Sequence, residues 1–202
     1  MKLYFAPGAC SMAPHIVLRE AGYTFELAKV DLAQKTAANG ADYTKINPKG
    51  YVPALQLDDG QILTEGVAIL HYLADQKPQC NLAPKAGTMA RYRLLEWMNF
   101  IASEVHKTLG ALYNPRITAE WKANQLSVFG QRCEFLEQRL GNNPYLMGDT
   151  FSVADAYLFT VLNWTHHLGV DMGRWPALGT YMARVAARPA VQNTMAAEGL
   201  LK

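Results

Sequence analysis

Strand-like and helix-like segments alternate over the first 76 residues, and their order restricts the possible folds. In chain order they are strand-like KLYF (2–5), helix-like SMAPHIVLREAG (11–22), strand-like FELAKV (25–30), VPALQL (52–57) and QILT (61–64), and helix-like EGVAILHYLAD (65–75). Asp59-Gly60, between the last two strand-like runs, is a strong hairpin signal. Strand–helix–strand followed by strand–strand–helix predicts an α/β domain with a small mixed sheet.

The pattern changes at residues 76–87, QKPQCNLAPKAG, where two prolines and a glycine predict a linker. Beyond it, apolar residues recur at helical spacing, as at Leu94, Met98, Ile101, Val105, Leu109 and Leu112. Ser152 and Asp155 predict a capping box that opens an apolar helix. The predicted organisation is an α/β domain over residues 1–77 and an all-helical domain over residues 88–202.

Charge and cysteine content restrict the classes of function that the protein can have. The 202-residue chain is 18% charged with a net charge of +2, so a nucleic-acid partner is not expected. Three cysteines, an odd number, argue against a disulfide framework. The longest apolar runs fall far short of the roughly 20 residues of a membrane span, and the first residues make a poor signal peptide. We therefore expect a cytoplasmic protein without a membrane partner, and no metal site is predicted.

Cys10 lies in PGACS, between a predicted strand and a predicted helix. Backbone N–H groups at a helix N-terminus favour a thiolate, and Gly8 permits a tight turn close to a ligand. The alternative is a buried cysteine that packs as a small apolar residue. Cys80 and Cys133 are assigned to structure.

The segment NPKGYVPAL, residues 47–55, places Val52-Pro53 directly before a predicted strand. A cis proline at that point leaves the Val52 backbone free to pair with an extended peptide. Glu65-Gly66 opens the next helix, where backbone N–H groups bind a carboxylate. Taken singly, Pro53 also fits an ordinary strand-start proline, and Glu65 an ordinary acidic residue at a helix start.

A polar stripe, Asn99, Ser103, His106 and Lys107, follows one side of the predicted helix in NFIASEVHK, residues 99–107. Its alternative interpretation is a solvated face, and a single histidine near a helix end is usually not a catalyst.

Together these motifs resemble those of glutathione S-transferases, and most closely the bacterial beta class. PGACS, NPKGYVPAL, LTEGVAI, NFIASEVHK and SVADAYLF occur in this order and cover both predicted domains. Cys10 together with His106 indicates the beta class. The resemblance implies a thioredoxin-like N-terminal domain with a cis Pro53, an all-helical C-terminal domain and a homodimer.

The resemblance also implies roles for individual residues. Cys10 and His106 are the implied catalytic residues. Glutathione, a co-substrate with no further cofactor, is implied to contact Cys10, Lys35, Val52, Glu65, Gly66, His106 and Lys107. Asn99, Ser103 and Glu104 are implied to reach the glutathione of the neighbouring subunit. Gly66 stands where many classes carry serine, so only a backbone contact is expected there.

The predicted reaction is attack of the glutathione thiolate on an electrophilic small molecule, often halogenated or aromatic, in detoxification. Tyr113, Trp164 and His167 of the helical domain are candidates to line the electrophile pocket. Tyr4 and Tyr51 are second choices for a catalytic tyrosine. Two alternatives stay open at this point. One is thiol–disulfide exchange or reductive dehalogenation through a Cys10–glutathione mixed disulfide. The other is a non-catalytic binder of apolar ligands.

Overall fold

The computed structural model describes residues 1–201 and divides the chain into two compact units. One unit contains Met1–Ala83 together with the segment from Arg188 onward, and the other contains Pro84–Ala187. The predicted helical domain of residues 88–202 differs from this division, because the segment from Arg188 onward packs with the N-terminal unit. The predicted fold class, an α/β thioredoxin-like domain followed by helices, is confirmed.

The N-terminal unit is built around a five-stranded mixed sheet in the order β3-β2-β1-β4-β5. Its elements are β1 (Lys2–Phe5), α1 (Met12–Glu20), β2 (Glu26–Asp31), β3 (Thr36–Ala37), β4 (Ala54–Gln56), β5 (Ile62–Thr64) and α2 (Gly66–Gln76). β1 and β2 are parallel, while the other neighbouring strands are antiparallel. The two-residue β3 was not predicted, since so short a strand leaves no alternating pattern.

Alternate residues of β1 face opposite sides of this sheet. On one side Phe5 contacts the ring of His15 in α1, and α1 packs against α2. On the other side the ring of Tyr4 lies 5.7 Å from that of Tyr43, in a cluster that also contains Val52. The Tyr4 hydroxyl donates to Gln56 Oε1 at 3.3 Å.

The segment after residue 188 completes the N-terminal unit. It contains α9 (Pro189–Ala197), which packs against α1. The Arg188 guanidinium donates to the Glu20 carboxylate at 2.6 and 2.9 Å. The buried carboxylate of Glu198 accepts from the Gly8 N–H at 2.8 Å and lies 2.8 Å from His15 Nδ1. The turn before Cys10 is therefore held by residues far away in the sequence.

The second unit is all helical. Its helices are α3 (Met89–Phe100), α4 (Lys107–Ala111), α5 (Ala119–Leu140), α6 (Val153–Leu162), α7 (Trp164–Leu168) and α8 (Pro176–Ala186), with a π-helical segment, Ile101–His106, joining α3 to α4. Every residue of α6 is buried, so this helix forms the centre of the unit. None of the helices in residues 1–201 combines the length and hydrophobicity needed to cross a membrane.

The predicted capping box at the start of α6 is present. Asp155, fully buried, accepts from the Ser152 N–H and the Ser152 hydroxyl, both at 2.8 Å. It also accepts from the Leu146 N–H at 2.9 Å and from the Tyr181 hydroxyl at 3.2 Å. One carboxylate thus joins the loop before α6 to α6 and to α8.

Candidate active site

The Cys10 thiol lies in the turn between β1 and α1 and is directed at the backbone of Val52. Its Sγ donates to the Val52 carbonyl at 3.2 Å. The Val52–Pro53 peptide bond is cis, as the resemblance implies. The Val52 carbonyl, expected to be free, therefore already accepts one hydrogen bond, although a carbonyl oxygen can accept a second.

The predicted preference of Cys10 for the thiolate form is wrong. The pKa of the Cys10 thiol is raised from 9.0 to about 11, mainly by burial, with a small contribution from the Glu65 charge in the same direction. The backbone N–H groups of Cys10 and Ser11 act in the opposite direction, as expected at a helix start, but their effect is smaller. At neutral pH Cys10 is therefore a protonated thiol and a hydrogen-bond donor.

Lys35 lies beside the segment that leads to Val52. Its Nζ donates to the Gly50 carbonyl at 2.9 Å and lies 5.6 Å from the centre of the Tyr51 ring. The Tyr51 carbonyl accepts from the Tyr43 hydroxyl at 2.8 Å and from Asn47 Nδ2 at 2.6 Å. These contacts fix the backbone between Asn47 and Val52 and place a cation at its edge.

Glu65 precedes α2 in an unusual backbone conformation, with φ 69° and ψ 116°. Backbone angles of this kind cost on the order of 1–3 kcal/mol and are concentrated at functional sites. The exposed Glu65 carboxylate is ion-paired with Lys49, whose Nζ also donates to Thr64 Oγ1 at 2.9 Å. Lys49 was missed by the sequence reasoning, although it lies within the NPKG motif.

Gly66, the first residue of α2, lies beside the cis proline. A Cβ built on Gly66 would be 3.9 Å from Pro53 Cγ, which is an ordinary van der Waals distance. The position therefore has room for a Cβ. The structure therefore brings together the site residues predicted in the N-terminal unit: Cys10, Lys35, Val52, Pro53, Glu65 and Gly66.

The other predicted residues follow one another along the helical unit, from the end of α3 to the start of α4. Asn99 and Ser103 are exposed, and their side chains donate to backbone carbonyls one turn earlier, at 2.9 Å in both cases. Glu104 is paired with Arg132 of α5, at 2.7 Å from its Nη2 and 2.9 Å from its Nε. Lys107 is exposed at the start of α4. Arg132 was not predicted, because it lies 28 residues further along the chain.

His106 ends the π-helical segment, a type of helix that is frequent at functional sites. Its Nδ1 lies 2.6 Å from the Tyr157 hydroxyl of α6, and its ring centre lies 4.9 Å from that of Trp164. Burial, together with the charge of Lys107, lowers the pKa of His106 from 6.5 to about 4. The imidazole is therefore neutral at neutral pH.

Of the residues predicted to line the electrophile pocket, Tyr113 and Trp164 are in contact: their rings meet edge to face at 5.9 Å.

Comparison with known proteins decides the family. Residues 8–76 match the model of the glutathione S-transferase N-terminal domain, and residues 119–184 match that of the C-terminal domain. A glutathione S-transferase, GstA of Escherichia coli O157:H7, is 44% identical over 200 residues, which cover 99% of this chain and 100% of the relative. The chain belongs to the glutathione S-transferase family.

Solved structures agree with this assignment. A bacterial beta class glutathione S-transferase of Sphingomonas chungbukensis is 47% identical, with a TM-score of 0.96 and complete coverage of both chains. A sphingomonad glutathione S-transferase complexed with glutathione gives the same values. The predicted beta class, the transferase activity and glutathione as co-substrate are thereby confirmed. The exchange, dehalogenation and non-catalytic alternatives are not favoured.

Proposed function

We propose that this glutathione transferase binds glutathione in an extended form along the Val52 edge of its N-terminal unit. One observation carries the proposal: a cation, a peptide edge and a carboxylate follow one another within the N-terminal unit. Lys35 donates to the Gly50 carbonyl, Cys10 donates to the Val52 carbonyl, and Glu65 immediately precedes α2, whose first residue, Gly66, adjoins Pro53. Glutathione has a glycyl carboxylate at one end and an ammonium group at the other.

The charges suggest a direction for the tripeptide. Lys35 attracts the glycyl carboxylate, and Glu65 pairs with the γ-glutamyl ammonium, with the Gly66 N–H at the helix start beside it. The cysteinyl backbone pairs with Val52, which brings the glutathione sulfur to Cys10. In the free protein the ammonium group of Lys49 occupies the Glu65 carboxylate. When glutathione binds, its γ-glutamyl ammonium replaces the Lys49 ammonium as the ion-pair partner of Glu65.

The proposed reaction is displacement at an electrophilic carbon. The glutathione thiol loses its proton to solvent, and the thiolate forms a C–S bond as the bond to a leaving group such as halide breaks. Cys10 and His106 face the sulfur in this proposal, with Lys107 nearby. The raised pKa of Cys10 supports a protonated thiol that does not itself attack. On glutathione binding its single S–H turns from the Val52 carbonyl to the glutathione sulfur, and that carbonyl becomes free for the cysteinyl backbone.

The test is a Cys10→Ala variant assayed for conjugation of glutathione with an activated chloroarene. We expect kcat/KM to fall by less than about tenfold, or about 1.4 kcal/mol of barrier, because glutathione supplies the attacking sulfur. Cys80→Ala is the matched control, since Cys80 is a half-buried thiol assigned to structure. Wild-type protein without conjugating activity overturns the proposed function, and complete loss in Cys10→Ala overturns the proposed role of Cys10.

Electrophile binding is proposed for the helical unit. The exposed Tyr113 ring, which meets the buried Trp164 edge to face, is an aromatic group to which halogenated or aromatic substrates can bind. The exposed His167 follows Trp164 closely in the chain. Conjugation of such compounds is detoxification.

The three cysteines are free thiols. Because free thiols are typical of reducing compartments, the protein is assigned to the cytoplasm.

A homodimer is proposed in which Asn99, Ser103 and Glu104 contact the glutathione of the neighbouring subunit. The exposed side chains of Asn99 and Ser103 are available for this role, and Arg132 holds the Glu104 carboxylate in one position. We expect a light-scattering mass of twice the 22.4 kDa chain at micromolar concentration. A mass of one chain with full activity contradicts the dimer.

A further inference from the structure

The Tyr157 hydroxyl and the His106 imidazole are held within hydrogen-bond distance of each other by two packed helical segments. Tyr157 is buried in α6, the central helix of its unit, and His106 ends the π-helical segment that packs against it. The O···N distance of 2.6 Å is short for an N–H donor and within the usual range for an O–H donor. This favours Tyr157 as the donor and His106 Nδ1 as the acceptor.

The surroundings of the ring leave it few orientations. The edge-to-face contact with Trp164 holds one side, and a Cβ built on Gly110 would lie 3.6 Å from His106 Cδ2. Lys107 is the neighbouring charge, while the Glu104 carboxylate on the same segment is paired with Arg132. A neutral imidazole carries one ring proton, and the partner at one nitrogen determines which nitrogen bears it.

We propose that Tyr157 is a positioning residue that holds His106 in the tautomer with the proton on Nε2, so that His106 donates a hydrogen bond to the glutathione sulfur and does not remove its proton. This inference rests on the proposed function, in which His106 faces the sulfur. An N–H donor fixed in advance stabilises a thiolate without reorganising when the thiol ionises. The proton of the thiol then goes to solvent.

The tautomer is measured directly by NMR of protein labelled with ¹⁵N-histidine at neutral pH, with His106→Ala identifying the His106 signals. We expect Nε2 to be protonated and Nδ1 to have the shift of an unprotonated acceptor. In Tyr157→Phe we expect the two nitrogens to move toward a mixture of tautomers. A proton on Nδ1 in the wild type overturns the inference. This measurement does not depend on catalytic activity.

Kinetics separate positioning from a general structural role. Tyr157→Phe is expected to lower kcat for conjugation about tenfold, as loss of a partner that orients a functional side chain does. KM for glutathione is expected to change less than about twofold, because the predicted glutathione contacts of the N-terminal unit remain intact. In a His106→Ala background the same substitution is expected to have no further effect on kcat. Additive effects of the two substitutions overturn the inference.

Tyr72→Phe is the matched control. It removes the same atom from a half-buried tyrosine of α2 and is expected to leave kcat and the His106 tautomer unchanged. The two proposals fail in different ways. A wild-type protein that does not conjugate glutathione contradicts the proposed function, whereas normal conjugation with a proton on Nδ1 contradicts only the role of Tyr157.

Discussion

Asp155→Ala is expected to lower the free energy of unfolding by about 3–5 kcal/mol. The carboxylate is fully buried and accepts from the Ser152 N–H and hydroxyl, the Leu146 N–H and the Tyr181 hydroxyl. Alanine leaves these donors without that acceptor, and each buried unsatisfied group costs about 1–3 kcal/mol. Urea unfolding followed by circular dichroism, at one fixed protein concentration, measures the change.

Two further variants define what this result means. Asp149→Ala removes an exposed carboxylate from the loop just before α6 and is expected to change stability by less than about 0.5 kcal/mol. Asp155→Asn retains one acceptor oxygen and is expected to fall between the wild type and Asp155→Ala. Equal stability of Asp155→Ala and the wild type contradicts the role given to this carboxylate.

Glu65→Ala is expected to raise KM for glutathione about 10- to 100-fold. A charge-assisted contact with the γ-glutamyl ammonium is worth about 1.5–3 kcal/mol, and each 1.4 kcal/mol is a factor of ten in binding. The unusual backbone of Glu65 is kept in this variant, because alanine and glutamate meet the same steric cost at φ 69°. Steady-state kinetics and calorimetric titration with glutathione measure the effect.

Glu26→Ala is the matched control for Glu65→Ala. Glu26 is an exposed residue of β2 that is paired with Lys2, so its loss removes a surface ion pair of the same unit without touching the proposed site. Glu65→Gln retains the shape and removes the charge, and it is expected to bind glutathione nearly as weakly as Glu65→Ala. Unchanged affinity in a folded Glu65→Ala protein rules out the proposed ammonium contact.

Local patterns predicted most of the secondary structure and part of the site. The family resemblance implied the cis bond before Pro53. Ser152 with Asp155 predicted the capping box, because that signal is contained within a few residues. The apolar spacing after residue 92 predicted a helical segment with one buried face, and its apolar residues Leu94, Met98, Ile101, Val105 and Leu109 are fully buried. It did not predict the π-helical turn, since the same residues are buried in either helix type.

Contacts between distant residues were not predicted. Tyr157 lies 51 residues from His106, and no local pattern connects them. The error at Cys10 has a different origin. The helix start was read correctly from the sequence and its N–H groups do favour the thiolate, but the extent of burial depends on the packed unit and has the larger effect on the pKa.

The hydrogen bond between the Glu198 carboxylate and the Gly8 N–H joins residues 190 positions apart, so it cannot form until almost the whole chain has been synthesised. The first 83 residues leave the ribosome before the helical unit, yet they lack the carboxylate that bonds Gly8 and His15 until residue 198 has been made. The helical unit, Pro84–Ala187, is continuous and has all of its residues earlier. The part of the protein that is translated first is therefore the last to obtain its complete set of native contacts, and a nascent chain stalled between the two units carries Cys10 in an unfinished turn.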